Sequence, residues 1–132
     1  MKPIHVSGRR KRAISRATLT QGKGDVRING KALDIYFSEV YALKVKEPLI
    51  LADEVAGKVD ISVNVFGGGV NAQAEAARLA IARALVECSK DKSLKERFAE
   101  YDRHLLVADT RYKEARKPNR SKARAKRQTS YR

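Results

Sequence analysis

Residues 58–66 carry the clearest alternation in the chain. Val59, Ile61, Val63 and Val65 point one way and Asp60, Ser62 and Asn64 the other, which predicts a strand with one buried face. After Gly67-Gly68-Gly69 the period changes. Over residues 71–88, Ala74, Ala77, Ile81, Ala84/Leu85 and Cys88 fall on one helical stripe, with Glu75, Arg78 and Glu87 off it. Ala13 to Thr20 alternates partially and ends at Gln21-Gly22-Lys23-Gly24. Asp25-Val26-Arg27-Ile28 follows, then the turn pair Asn29-Gly30, which suggests a hairpin. Asp34 or Ser38 is placed to cap short helices through Tyr36-Phe37 and Val40–Val45. Pro48 is placed to start a further turn through Leu49–Val55, closed by Gly57. Ser93 suits the cap of a helix over Leu94–Tyr101, and Leu105–Ala108 reads as a short strand. The order predicts an α+β domain over residues 1–109, one mixed β-sheet with helices packed on one face. Within it, residues 1–16 read as a basic N-terminal arm leading into a strand. Residues 110–132 read as an extended basic C-terminal tail.

Composition adds limits. The chain has 132 residues, 42% of them hydrophobic, enough for one core. Its longest apolar runs, such as Leu49-Ile50-Leu51-Ala52, fall far short of the roughly 18 residues a membrane span needs. No apolar segment of a signal peptide follows Lys2, and the single cysteine, Cys88, cannot form an internal disulfide. The expected address is the cytoplasm.

Charge changes the picture most. The net charge is +14, with +6 on residues 1–16, +9 on residues 110–132 and −1 on everything between. A near-neutral body with two cationic ends is the pattern of a folded core carrying polyanion-binding arms. No apolar period survives after Asp109, and Pro118 blocks a continuous helix, so the tail alone is expected to be disordered.

Candidate chemistry follows the charge. Arg9, Arg10, Lys11 and Arg12 are four consecutive cations entering a strand, with Arg16 close behind and no acid among them. Gly67, Gly68 and Gly69 put flexible backbone N–H groups at a helix start. That reads equally as a phosphate seat and as a turn that needs glycine, and the lysine and Ser/Thr of a nucleotide loop are missing. In the tail Arg111, Arg116, Lys117, Arg120, Lys122 and Arg124 are candidate RNA contacts, and from Lys122 to Arg132 small residues mix with the cations, so an extended backbone can lie close to RNA. Tyr131 suits stacking on a base or plain exposure. His5 and His104 stand far apart without metal-ligand spacing, Cys88 sits on an apolar stripe, and no acid/base pair is recognisable. These readings call for no metal, no cofactor and no catalysis.

Gly8-Arg9-Arg10-Lys11, Gly67-Gly68-Gly69 with Gln73-Ala74, Arg78 to Leu85, and the ending Ala123-Arg124 to Gln128 with Ser130-Tyr131-Arg132 together resemble the universal small-subunit ribosomal protein S-nine family. The likeness runs in order over essentially the whole chain. Its Ser-Tyr-Arg ending resembles archaeal and eukaryotic cytosolic members, and the lack of a long N-terminal extension points to an archaeal source. The resemblance implies a ribosomal S5 domain 2-like fold and a structural place in the head of the small subunit. It also implies binding to the 3′ major domain of ribosomal RNA and contact with neighbouring head proteins. A further implication is a tail directed toward the anticodon stem-loop of peptidyl-site transfer RNA. By motif position that contact falls on Lys126, Arg127, Gln128, Ser130, Tyr131 and Arg132. Many members carry a glycine-rich hinge before the Ala-Arg run; here Pro118-Asn119-Arg120-Ser121 stands in its place.

Two other classes compete. A general nucleic-acid-binding or DNA-compacting protein is also small and basic, but does not need paired arms around a neutral body. A small-molecule phosphotransferase would need an acid/base pair.

Overall fold

The computed structural model describes residues 2–127 and 129–131. The strand predicted at residues 58–66 lies at the middle of a five-stranded sheet. The strands are β1 (Ile4–Arg10), β2 (Ala13–Gln21), β3 (Val26–Ile28), β4 (Lys31–Ala32) and β5 (Val59–Phe66), in the spatial order β1-β2-β5-β3-β4. The pairs β1–β2, β2–β5 and β3–β4 are antiparallel and β3–β5 is parallel, so the sheet is mixed. Val59, Ile61, Val63 and Val65 are buried on the helical face, while Ser62, Asn64 and Phe66 lie exposed on the other. The helices are α1 (Leu33–Tyr36), α2 (Glu39–Leu51), α3 (Asp53–Ala56), α4 (Val70–Ser89) and α5 (Lys92–Tyr101). This is the α+β, ribosomal S5 domain 2-like arrangement.

Several elements differ from the sequence reading, each for a local reason. The first strand begins at Ile4, so most of the segment read as an N-terminal arm is an edge strand paired residue by residue with β2. Its pattern was hidden because Ser7, Gly8 and the arginines break the apolar alternation. The Asn29-Gly30 turn, with both φ angles positive, does close the expected hairpin, joining β3 to the two-residue β4. Asn29 also prolongs the ladder with its side chain, accepting from Val65 N–H at 2.8 Å and donating to Val65 C=O at 2.9 Å. Pro48 does not open a new turn. It sits inside α2, where burial of Ala42, Val45 and Pro48 against the core outweighs one missing hydrogen bond near the helix end. Helix α5 is capped by Asp91, whose carboxylate accepts from Ser93 N–H at 2.9 Å, and not by Ser93. Residues 105–108 form no strand. Asp102 accepts from His104 N–H at 2.9 Å and winds Arg103–Leu105 into a 3-10 turn that buries Leu105 completely.

Helix α4 packs between the sheet and the other helices, so it is buried well beyond the predicted stripe. Ala76, Leu79, Ala80 and Ala82 join Ala74, Ala77, Ile81, Ala84 and Leu85 in the core. Small residues let its backbone approach the sheet. A Cβ on Gly8 would stand 2.2 Å from Ala76 O and 2.8 Å from Ala80 N. The buried Ser15 hydroxyl donates to Ala76 O at 2.5 Å. Gly8→Val is therefore expected to destabilise the fold by about 3 kcal/mol, the overpacking of a site with no room to relax. Gly69→Ala, whose Cβ would meet nothing within 4 Å, should change stability by less than about 0.5 kcal/mol. Urea unfolding of both variants checks the pair, and equal midpoints would refute the close-approach account.

Candidate functional site

The run Gly8 to Arg12 is a hairpin end, and the pleat of the sheet gives its cations different environments. Arg9 and Arg10 close β1, Lys11 turns the chain at a left-handed φ of 51°, and Ala13 opens β2 opposite Arg10. Arg9 and Arg16 project from the helix-free face and are exposed; Lys11 and Arg12 stand exposed at the turn. Arg10 points the other way, toward α4. Its Nε donates to Glu75 at 2.7 Å, its Nη2 lies 3.3 Å from Asp109, and its side chain is only 17% exposed. Lys44 reaches the same Glu75 carboxylate at 3.3 Å. Expected to touch RNA, Arg10 is instead neutralised inside the protein.

The glycine loop folds onto this hairpin end. Gly67 and Gly68 have φ of 74° and 65°, and a Cβ would stand 2.6 Å from Arg12 O at the first and 3.0 Å from Ala13 N at the second. Both glycines are thus accounted for by backbone conformation and close packing, the turn reading of the sequence. The consequence is positional. The N-terminus of α4 lies beside the cationic turn, across an open groove lined by Lys11, Arg12, Gly68, Gly69, Tyr112 and Arg116.

Three arginines hold the segment that leads into the tail. Arg78 donates to Asp102 at 2.7 Å and also pairs with Glu47, linking α2, α4 and the end of α5. Arg83 donates to Leu106 O at 2.9 Å and to Ser7 O at 3.0 Å, so it bridges this segment to the outer edge of β1. Arg10 grips Asp109 and donates to Arg111 O at 3.4 Å. Tyr112 completes the attachment by donating its hydroxyl to Lys11 O. Sequence reasoning missed Glu75, Arg78, Arg83, Asp109 and Tyr112 as a set. The two helix arginines had one signal, their place off the apolar stripe, but nothing in the sequence paired them with residues 102–109.

The carboxylates of this clasp titrate low. Burial alone would raise the Glu75 carboxyl, but hydrogen bonds from Arg10 and Lys44 more than reverse that. Burial likewise opposes, and His104 N–H with Arg78 overcomes, to leave Asp102 lowered. Asp109 is held well below the ordinary carboxylate range, first by the Arg111 side chain and then by its backbone N–H.

From Lys113 to Arg127 the chain forms no helix or strand and is exposed apart from the half-buried Ala123 and Ala125. Lys113, Arg116, Lys117, Arg120, Lys122, Lys126 and Arg127 make no ion pair among the described residues. Arg124 approaches Glu114 at 2.9 Å, but both are largely exposed. Arg111, 82% exposed, pairs with Asp109 at 2.7 Å. Pro118-Asn119 forms a turn with Asn119 at a left-handed φ of 59°. Ser130 and Tyr131 are exposed, and Gln128 and Arg132 lie outside the described residues. Among the described residues no cluster of His, Cys, Asp and Glu is disposed to hold a metal, and no helix is long and apolar enough to cross a membrane.

The chain is similar to known proteins over its whole length. A family model described as ribosomal protein S9/S16 matches residues 8–132. The chain is 49% identical over 132 residues to small ribosomal subunit protein uS9 of Methanothrix thermoacetophila, with both chains covered in full. It is 46% identical to the uS9 of Methanococcus vannielii and 45% to that of Methanococcus maripaludis, again over the whole of each chain.

The lowered carboxyls set a pH window for the clasp. A group whose folded-state pKa is depressed stabilises above its unfolded value of about 4 and loses that contribution as pH falls through the folded value. Amide exchange at residues 107–112 should therefore stay slow through pH 4 and accelerate only below it, after correction for intrinsic rates. Asp109→Asn should raise exchange there about tenfold at neutral pH and remove much of the acid sensitivity. Unchanged exchange in that variant would show that the Arg10–Asp109 pair does not hold the tail root.

Proposed function

The chain belongs to the ribosomal protein S9/S16 family, whose members are non-enzymatic constituents of the small ribosomal subunit, and on that premise we propose how its surface meets RNA in the cytoplasmic ribosome. The body docks on ribosomal RNA of the 3′ major (head) domain through the hairpin end bearing Arg9, Lys11 and Arg12. The tail, leaving from the same pole, carries the contact onward with Lys113, Arg116, Lys117, Arg120 and Lys122. One observation carries the reading: the two cationic ends of a chain whose middle is near-neutral meet at one pole, tied together by Tyr112 on Lys11 O. Their charge then acts on one stretch of RNA phosphates, with condensed counterions released as the driving force. The backbone N–H groups of Gly69 and Val70 lie within this pole and add to its positive potential, subordinate to the side chains.

Beyond the Pro118-Asn119 turn the extended backbone fits a crowded RNA cleft that no folded domain enters. Its last residues, Lys126, Arg127, Gln128, Ser130, Tyr131 and Arg132, are directed to the anticodon stem-loop of peptidyl-site transfer RNA. That destination rests on the family resemblance, with the exposure of the tail cations in support.

Binding to small-subunit ribosomal RNA is expected to be steeply salt-dependent. Engaging about 8 phosphates gives a log–log slope of roughly −6 to −7. A slope near zero in filter-binding titrations would mean the basic residues are not at phosphates. Removing Ser130-Tyr131-Arg132 should leave subunit assembly intact and weaken transfer RNA retention by about 1–3 kcal/mol, one charge-assisted contact. Arg132→Lys should recover part of that loss, and Arg132→Glu should be worse than the deletion. Transfer RNA dissociation from purified subunits reads all three, and unchanged rates would remove the role of the terminus.

A further inference from the structure

The helices cover one face of the sheet and leave the other bare. Along β1, β2, β5 and β3 this face presents Arg9, Arg16, Arg27, Asn64 and Phe66, with half-buried Ile14 between Arg9 and Phe66 and short hydroxyl side chains around them. Its centre is a cation–aromatic pair. The Arg16 guanidinium carbon lies 5.4 Å from the centroid of the Phe66 ring, and Phe66 is 46% exposed. One strand away, His5 is hydrogen-bonded through Nδ1 to the Thr18 hydroxyl at 3.1 Å.

The charge on this face is one-sided. Its strands carry one carboxylate, Asp60, and that group accepts from the backbone N–H groups of Lys23, Gly24 and Asp25 at 2.7, 3.1 and 3.0 Å. The Asp60 carboxyl is lowered, first by the Lys23 N–H and next by that of Asp25, so it stays ionised but turned to the loop. Arg27 meets Asp25 only at 3.8 Å, with both side chains about two-thirds exposed. Arg9 and Arg16 have no carboxylate partner among the described residues.

We propose that this bare face is a second RNA-binding surface, which takes unpaired nucleotides by stacking bases on the Arg16–Phe66 pair. The proposal deepens the ribosomal RNA reading and rests on it, but assigns the sheet face that adjoins the cationic pole at Arg9. A pleated face of three strands is about 10 Å across, room for two or three splayed bases. The guanidinium plane and the ring supply stacking area, and Arg9 and Arg27 flank it for the phosphates on either side. Asn64 and the hydroxyls supply donors and acceptors for base edges. A protein partner would want the centre of its footprint apolar and poor in charge. Here the exposed apolar side chain, Phe66, lies against the Arg16 guanidinium, and its half-buried neighbour Ile14 is flanked by Arg9, so the centre of such a footprint is not poor in charge. Double-stranded RNA would offer no splayed bases for that pair to stack on.

The test uses the full chain and two labelled probes: a 12-nucleotide pyrimidine oligoribonucleotide without secondary structure, and a duplex RNA of about the same length. Phe66→Leu and Arg16→Gln are expected to weaken single-strand binding roughly tenfold, the loss of one stacked base, with duplex binding changed by less than about twofold. Phe66→Tyr should bind the single strand as the original chain does, which separates stacking from folding, and thermal unfolding of each variant confirms an intact domain. The pair Arg116→Gln with Lys117→Gln reads the cationic pole, and should weaken both probes. If those tail variants change nothing while Phe66→Leu weakens the single strand, the pole reading fails and this one stands. If Phe66→Leu and Arg16→Gln bind both probes unchanged, the proposal is overturned. It is equally overturned if they leave oligonucleotide binding intact and instead release a neighbouring protein from assembled subunits.

Discussion

Close approach between the backbone of α4 and the first two strands governs the rest of the structure. Gly8 and Ser15 face Ala76 and Ala80 with no room for a side chain between them, and the Ser15 hydroxyl spans the gap to Ala76 O. At that separation three things follow from geometry. The glycine loop before α4 must fold tightly over Arg12 and Ala13. Arg10, on the helical side of β1, comes within reach of Glu75. Arg78 and Arg83, farther along α4, come within reach of the chain that leaves α5. A bulkier sheet surface would lift the helix and separate all of these pairs at once.

The cations divide into two populations because burial treats them differently. Arg10 and Arg78, 17% and 11% exposed, cannot remain uncompensated, and each has two carboxylates against it. Arg83 satisfies main-chain carbonyls instead, closing an edge strand that would otherwise invite another chain. These three serve the fold and fix where the tail begins. The exposed group costs little to leave unpaired in water. The pair Arg124–Glu114, exposed on both sides, holds its guanidinium weakly, since exposed ion pairs contribute little, and a phosphate can take that guanidinium over.

The tail gains direction from its root and from turns at Pro118-Asn119 and Ala123-Arg124 rather than from any helix or strand of its own. Asp109, Arg111 O and Tyr112 anchor it against the cationic hairpin end. Asn119 then supplies a bend with its left-handed φ, and Pro118 stiffens the approach to it.

How much of this was legible in the chain can be traced residue by residue. Alternation at 59–66 determined the central strand and its buried face, because period-two patterning survives any tertiary context that buries one side. The alanine-rich run determined α4, and the charge balance determined that the excess cations lie at the two ends. Family motifs carried the placement in the small ribosomal subunit. Tertiary structure decided what depends on distance between remote segments. Gly8 and Ser7 conceal β1, which exists because β2 and α4 need a neighbour there. Pro48 stays helical because its ring is buried, and no strand forms at 105–108 because the Asp102 cap winds Arg103–Leu105 into a 3-10 turn and Arg83 takes Leu106 O. The four cations at 9–12 look equivalent in sequence, yet the pleat sends Arg10 inward to Glu75 and Asp109 and leaves Arg9, Lys11 and Arg12 outside. Local pattern records which residues prefer burial; only the folded chain brings a carboxylate from residue 109 to an arginine at residue 10.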